Sequence, residues 1–185
     1  ELCFAHTHLA LVHVDPAAIL RIHGQSHLER VERSVAAAPA HLDPDTFVSA
    51  ASLEVASLAA GSTVALARAV ARREIETGFA AVRPPGHHAE ADRAMGFCIF
   101  NNVAIATRHA QEELGLARVA IVDFDVHHGN GTEALFRADP SVLFVSLHQW
   151  PFWPGSGGPG TSDEHTLNVP LAAGSGDGDY ARAFV

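Results

Sequence analysis

The chain has 185 residues, 48% of them hydrophobic and 18% charged, with a formal net charge of −9. That length holds one domain with a real core, and the apolar content excludes a disordered chain. Twelve basic against 21 acidic side chains exclude a nucleic-acid binder held by phosphates, and no run of about 18 uninterrupted apolar residues reads as a membrane span. All the basic residues are arginine, and thirteen histidines stand against a single tyrosine. The missing lysines reflect codon usage, whereas the histidines have to be judged by position.

In chain order, Asp15-Pro16 opens a short helix over 17–22, and Ser26 caps a second over 27–38 with Glu29 three positions on. Pro39 to Pro44 reads as a turn. Leu53, Ala56, Ala60, Val64, Ala67 and Val70 recur at helical spacing and predict the longest helix over 49–73, with Ser52 or an earlier serine as its cap. Residues 79–82 form a short apolar run that predicts a buried strand, broken by Arg83-Pro84-Pro85-Gly86. A helix over 101–114 stops at Gly115, a β-branched strand covers 118–125, a short helix 132–137 and a second strand 141–147. A last helix begins at 179.

Strands that alternate with helices, and that lack polar alternation, predict a parallel sheet buried on both faces in an α/β fold. Ligands gather at the carboxyl ends of such strands. The unusual residues sit there: RPPGHH, DFDVHHGNG and SLHQWPFWPG, with the Gly-rich 155–160 segment as a rim loop. The opening segment lacks a basic n-region, so no signal peptide is read. Cys3 and Cys98 are too few for a disulfide framework and place the chain in a reducing, cytoplasmic compartment. Cys98, in GFCIF, reads as a small buried hydrophobe.

Asp123, Asp125 and His127 are spaced two apart, so a continuing strand points all three to one face, with apolar Phe124 and Val126 on the other. Two carboxylates on one face repel unless a cation lies between them, and oxygen plus imidazole donors suit zinc. The competing use is an acidic loop cap beside a core histidine. His128 faces away and reads as structural. His87-His88 follows a rigid Pro-Pro and a permissive Gly, and adjacent imidazoles beside a metal-bound water can serve as general base and acid. Asp123 and Asn130 are the groups available to orient them.

With these motifs in register, the chain resembles the zinc-dependent histone deacetylase and acetoin-utilisation amidohydrolases. RPPGHHAEADRAMGFCIFNN, VDFDVHHGNGT, VSLHQWPFWPGSG, NVPLAAGSGD and the earlier LDPDTFVSAASLEVASLAAG carry the likeness over nearly the whole chain. It implies the three-layer α/β/α sandwich with a mostly parallel sheet of the arginase/deacetylase fold, present here in part. It also implies Asp125 and His127 as zinc ligands and His87 and His88 as the acid–base dyad. Asp123 would orient His87 and, with Ser146 and the Leu147 backbone, hold a structural potassium ion. Gly96, Phe97 and Trp153 would line a narrow acyl-lysine tunnel, the alternative use of either aromatic being core packing. Asn130, where class I enzymes carry Asp, points to the class II-like bacterial branch and would orient His88.

The resemblance further implies a third zinc ligand, an Asp from a later strand, and an oxyanion-stabilising Tyr from a Gly-rich loop; Tyr180 lies in GDGDYARAF and matches neither. Residues 1–185 therefore read as one partial domain, cut at both ends, without the family's early N-terminal strand and its C-terminal part. The expected activity is hydrolysis of acetyl-lysine or another acetylated amine by the full-length protein, with this piece alone expected to be inactive. The competing readings are an acetylpolyamine amidohydrolase, a non-catalytic acyl-binding pseudoenzyme and a binuclear manganese ureohydrolase; Gly129-Asn130-Gly131 supplies none of the extra acidic ligands that the last requires.

Overall fold

The computed structural model describes residues 8–185, so Cys3 and His6 lie outside it. Helix α1 (Pro16–Leu20) starts where the Asp15 carboxylate accepts the Ala17 N–H at 2.9 Å. Helix α2 (Gln25–Ala36) begins earlier than expected: Gly24 stands at the cap without a side-chain bond, and Ser26 falls inside the first turn. Gln25 supports that turn by donating to Glu29 at 3.0 Å. The stretch expected as a turn is instead an antiparallel hairpin of β1 (Ala40–Asp43) and β2 (Thr46–Val48). The Asp43 carboxylate closes it by accepting the Asp45 and Thr46 N–H groups at 3.2 and 2.9 Å. A four-residue strand between two prolines is too short to show a period.

Helix α3 (Ser52–Ala71) is the long one, and it has no side-chain cap, so neither Ser52 nor an earlier serine plays that part. Its 20 residues are enough in length and composition to cross a membrane, although Glu54 and Arg68 among others interrupt the apolar run. In this fold α3 packs against α4, and Ala56 and Ala60 enter the core. Helix α4 (Asn102–Leu114) begins and ends as expected. Asn101 accepts the Ala104 N–H at 3.1 Å, and Gly115 closes the helix in the left-handed region at φ 70°.

Strand β3 (Val119–Asp123), helix α5 (Asn130–Phe136), strands β4 (Val142–Gln149) and β5 (Thr166–Leu171), and helix α6 (Asp177–Ala183) complete the chain. The three strands form a parallel sheet in the order β3-β4-β5, which bears out the α/β fold. In register, Asp123 pairs with Ser146 and Ser146 with Asn168, so β3 ends three residues before β4 and β5, which end together at Gln149 and Leu171. Ile121, Val142 and Phe144 face a single core with Val31, Phe100, Ile105 and Phe136 from the helices. The opposite face differs from expectation: Val122, Leu143 and Leu167 are exposed, so the described residues cover the sheet on one side.

Residues 79–82 are not a strand, and Phe79 is 91% exposed. Ala80 and Val82 line a cleft of about 680 Å³ with Ile121 and Val122 of β3, and the Val82 N–H donates to Ala80 O at 3.1 Å within the segment. A strand needs a bonded neighbour, and an apolar run alone does not supply one.

Candidate active site

Asp123 ends β3, and Asp125 and His127 lie beyond it in a bend. Their common orientation therefore does not come from strand pleating, as the spacing suggested. Two consecutive side-chain turns produce it. Asp123 Oδ1 accepts the Asp125 N–H at 3.1 Å, and Asp125 Oδ1 accepts the His127 N–H at 2.8 Å. Phe124 and Val126 are exposed, and they line one cleft together with Asp123 and Asp125.

The His87-His88 loop faces this bend. His87 Nδ1 lies 2.7 Å from Asp123 Oδ2, and His88 Nδ1 lies 2.8 Å from Asn130 Oδ1. The two rings are 3.9 Å apart, centroid to centroid, yet their proton affinities are driven in opposite directions. Burial disfavours the His87 cation, but the hydrogen bond and charge of Asp123, with Asp125 behind it, raise its pKa above the ordinary imidazole value. Burial and then the neighbouring His87 charge push His88 down to about 4, against the weaker support of Asn130.

Glycine is required where Gly129 passes Asp123, since a Cβ there would lie 2.2 Å from Oδ2. Gly96 is held at φ +57° with its missing Cβ position 2.5 Å from the His88 ring and 2.6 Å from Trp153.

Asp125 and His127 are the pair that could share a metal. Two ligands on a tetrahedral zinc, each at about 2.0–2.1 Å, stand about 3.3 Å apart. Asp125 Oδ1 and His127 Nδ1 are 3.0 Å apart, so the pair fits as two donors to one ion. Burial opposes the Asp125 charge, but bonds from His127 and the His87 charge hold its pKa below the usual carboxylate value. Among the described residues no cluster of three or more acidic, imidazole or thiol side chains forms a metal cage.

The aromatics are arranged around these imidazoles. Trp153 stands edge-on to His88 at 4.6 Å and to His127 at 5.7 Å. Phe152, which the sequence did not single out, stacks on His127 at 5.0 Å with 16° between the planes. Phe97 is 57% exposed and lines a cleft with Phe47 and Pro84, and Trp153 is 40% exposed, so neither is core packing.

His128 is structural, with its ring nitrogens 2.8 Å from Ser156 Oγ and 3.0 Å from Glu133. His148 is buried between Ser146 and the Gly157 carbonyl, and Ser146 Oγ accepts the Gly129 N–H at 3.4 Å. Leu147 is buried beside it. Cys98 is buried, and burial lifts its thiol to about 12, which suits a hydrophobe and not a nucleophile.

Three supporting residues escaped sequence reasoning. His23 and His27, fully buried in a helix-rich region, bond the carbonyls of Glu90 and Ile99 at 2.8 and 2.9 Å. Glu90 accepts from the Asn130 amide at 2.9 Å. The one available signal was Glu90's place two residues after the histidine pair in HHAE.

Comparison with known proteins gives the same picture. The sequence model of the histone deacetylase domain matches residues 3–185. Human histone deacetylase 9 is 46% identical over 141 residues, which is 70% of this chain and 14% of that protein. An uncharacterised protein of Synechocystis is 46% identical over 169 residues, 90% of this chain and 55% of that protein. A rat polyamine deacetylase, HDAC10, is 46% identical over 156 residues, 78% of this chain and 26% of that protein. The crystal structure of the HDA15 HD domain superposes with a TM-score of 0.90 at 38% identity, covering 95% of this chain and 52% of that one. The chain thus spans about half the length, or less, of these relatives. With paired histidines, an Asp-x-Asp-x-His bend and a parallel sheet in one register, and a domain match over nearly all its residues, the chain belongs to the histone deacetylase family.

Proposed function

We propose that the protein of which this chain forms the described part is a deacetylase that hydrolyses the acetamide of acetyl-lysine or a related acetylated amine. The observation that carries this reading is the dyad geometry. Two touching imidazoles, each tied through Nδ1 to its own orienting group, leave both Nε2 atoms free beside the Asp125/His127 pair. Asp125 and His127 would hold zinc, which when bound supplies Lewis acidity to water and to the acetyl carbonyl. Asp123, its register neighbour Ser146 and the Leu147 backbone would hold a structural potassium ion.

His88, uncharged near neutrality, accepts the proton of the attacking water as its oxygen bonds to the carbonyl carbon. His87, whose proton affinity Asp123 raises, stabilises through its ring N–H the negative charge that develops beside it. The carbon–nitrogen bond then breaks, and the dyad delivers a proton to the departing amine, so that acetate and amine leave. Gly96, Phe97 and Trp153 would form the walls along which the acyl chain enters, and Phe152 fixes the His127 plane. The expected partners are acetylated side chains or small acetylated amines, with neither nucleic acid nor membrane as substrate, in a cytoplasmic setting.

Release of acetate from an acetyl-lysine peptide and an N-acetyl polyamine, assayed on a chain extended to the whole domain, tests this. Turnover that is lost with a chelator and restored by zinc is expected. Acyl binding without any acetate release would favour a pseudoenzyme and overturn it.

A further inference from the structure

A general base has to expose a lone pair, so the ring nitrogen carrying the proton must be fixed for each histidine. For His87 this follows from Asp123, a carboxylate that can only accept and so holds the proton on Nδ1. His88 has no such partner. The Asn130 amide can present either its oxygen or its NH₂ group to Nδ1. The oxygen makes His88 an Nδ1–H donor with Nε2 free, and the NH₂ group enforces the reverse.

The choice is made on the far side of the amide. Asn130 Nδ2 lies 2.9 Å from Glu90 Oε1 and 3.5 Å from Met95 Sδ. A carboxylate and a thioether both accept, so the nitrogen has to face them and the oxygen has to face His88. We propose that Glu90 is a positioning residue whose carboxylate fixes the orientation of the Asn130 amide and, through it, the His88 tautomer that leaves Nε2 unprotonated.

The backbone of Glu90 is itself held on both sides. Its N–H donates to Arg93 O at 2.9 Å, and its carbonyl accepts the His23 Nδ1–H at 2.8 Å. The assignment of that His23 proton is independent, because His23 Nε2 accepts the Asn101 N–H at 2.9 Å. A neutral amide in place of a carboxylate at position 130 thus acquires its direction from an acid forty positions away in the chain.

The inference rests on the reading of His88 as proton acceptor, but its test needs no turnover, so either can fail while the other stands. Two-bond ¹⁵N–¹H correlation spectra of the ¹⁵N-labelled chain at neutral pH report the tautomer of each histidine, with the His88 signals identified by their absence in His88→Phe. The native chain is expected to hold His88 as Nδ1–H alone. Glu90→Gln, which can donate or accept, should admit the Nε2–H form to about a tenth of the population or more. The double variant Glu90→Gln/Asn130→Asp should return to Nδ1–H alone, because the carboxylate introduced by the second substitution accepts at either oxygen. If Glu90→Gln does not fold, Glu90→Ala is read in the same way. An Nε2–H native chain, an unchanged tautomer in the Glu90 variants, or a mixture that persists in the double variant each overturns the proposal.

Discussion

His23 Nε2 accepts the backbone N–H of Asn101 at 2.9 Å, directly beneath the loop that carries the histidine pair. The same ring donates from Nδ1 to Glu90 O at 2.8 Å, and it is 1% exposed. Only the neutral ring can make both bonds. Burial first, and then the charge of His27, lower the His23 pKa to about 4.

An unfolded histidine titrates near 6.5, so between that value and about 4 the unfolded chain binds the extra proton. The contribution of His23 is complete above the upper value and is lost as the pH falls through the lower one. It amounts to about 3 kcal/mol. Urea unfolding midpoints measured from neutral pH downward should fall through this window, and His23→Leu should flatten the slope. An equal slope in the variant would show that the titration lies elsewhere.

Asn101 is the second half of this frame. Its oxygen caps α4, and its Nδ2 donates to Ala89 O at 3.2 Å and Thr132 Oγ1 at 3.1 Å. Asn101→Ala removes the cap and leaves buried acceptors unpaired, a loss of about 2–4 kcal/mol. Thermal unfolding measures it, and a change below about 1 kcal/mol would mean that water replaces the amide.

Gly96 carries both a left-handed backbone, φ +57°, and a position pressed against His88 and Trp153. Gly96→Ala is expected to destabilise the fold by about 1–3 kcal/mol. It should also displace Trp153, which tryptophan fluorescence detects. An unshifted spectrum with native stability would refute the close approach.

Asp123 carries two duties, one oxygen on His87 and the other on the Asp125 N–H. Asp123→Asn keeps the shape but removes the charge that raises the His87 pKa. In a whole-domain enzyme kcat should drop by about 10²–10⁴, with a smaller change in KM. A KM effect alone would assign Asp123 to binding.

The parts of the site that are close in sequence were legible along the chain. Alternating helices and strands pointed to a parallel sheet, and Asp-x-Asp-x-His follows the carboxyl end of β3 because such sheets collect their polar residues there, whereas the histidine pair lies on a loop that no strand directly precedes. The common face of Asp123, Asp125 and His127 has a different origin from the one their spacing suggests, since side-chain turns set it after the strand has ended. The unassigned His23 and His27, and the exposed segment 79–82, show why the rest was not legible. Whether a histidine is a neutral strut or a surface group, and whether an apolar run finds a ladder partner, depends on groups dozens of residues away.

Local spacing along the chain thus singled out the candidate side chains of the site. Tertiary structure alone set the direction of their proton affinities: Asp123 raises His87, burial and then His87 lower His88, and Glu90 faces the Asn130 amide. Proton affinity and amide orientation are set by burial and by the nearest donor or acceptor, and neither is encoded by spacing along the chain.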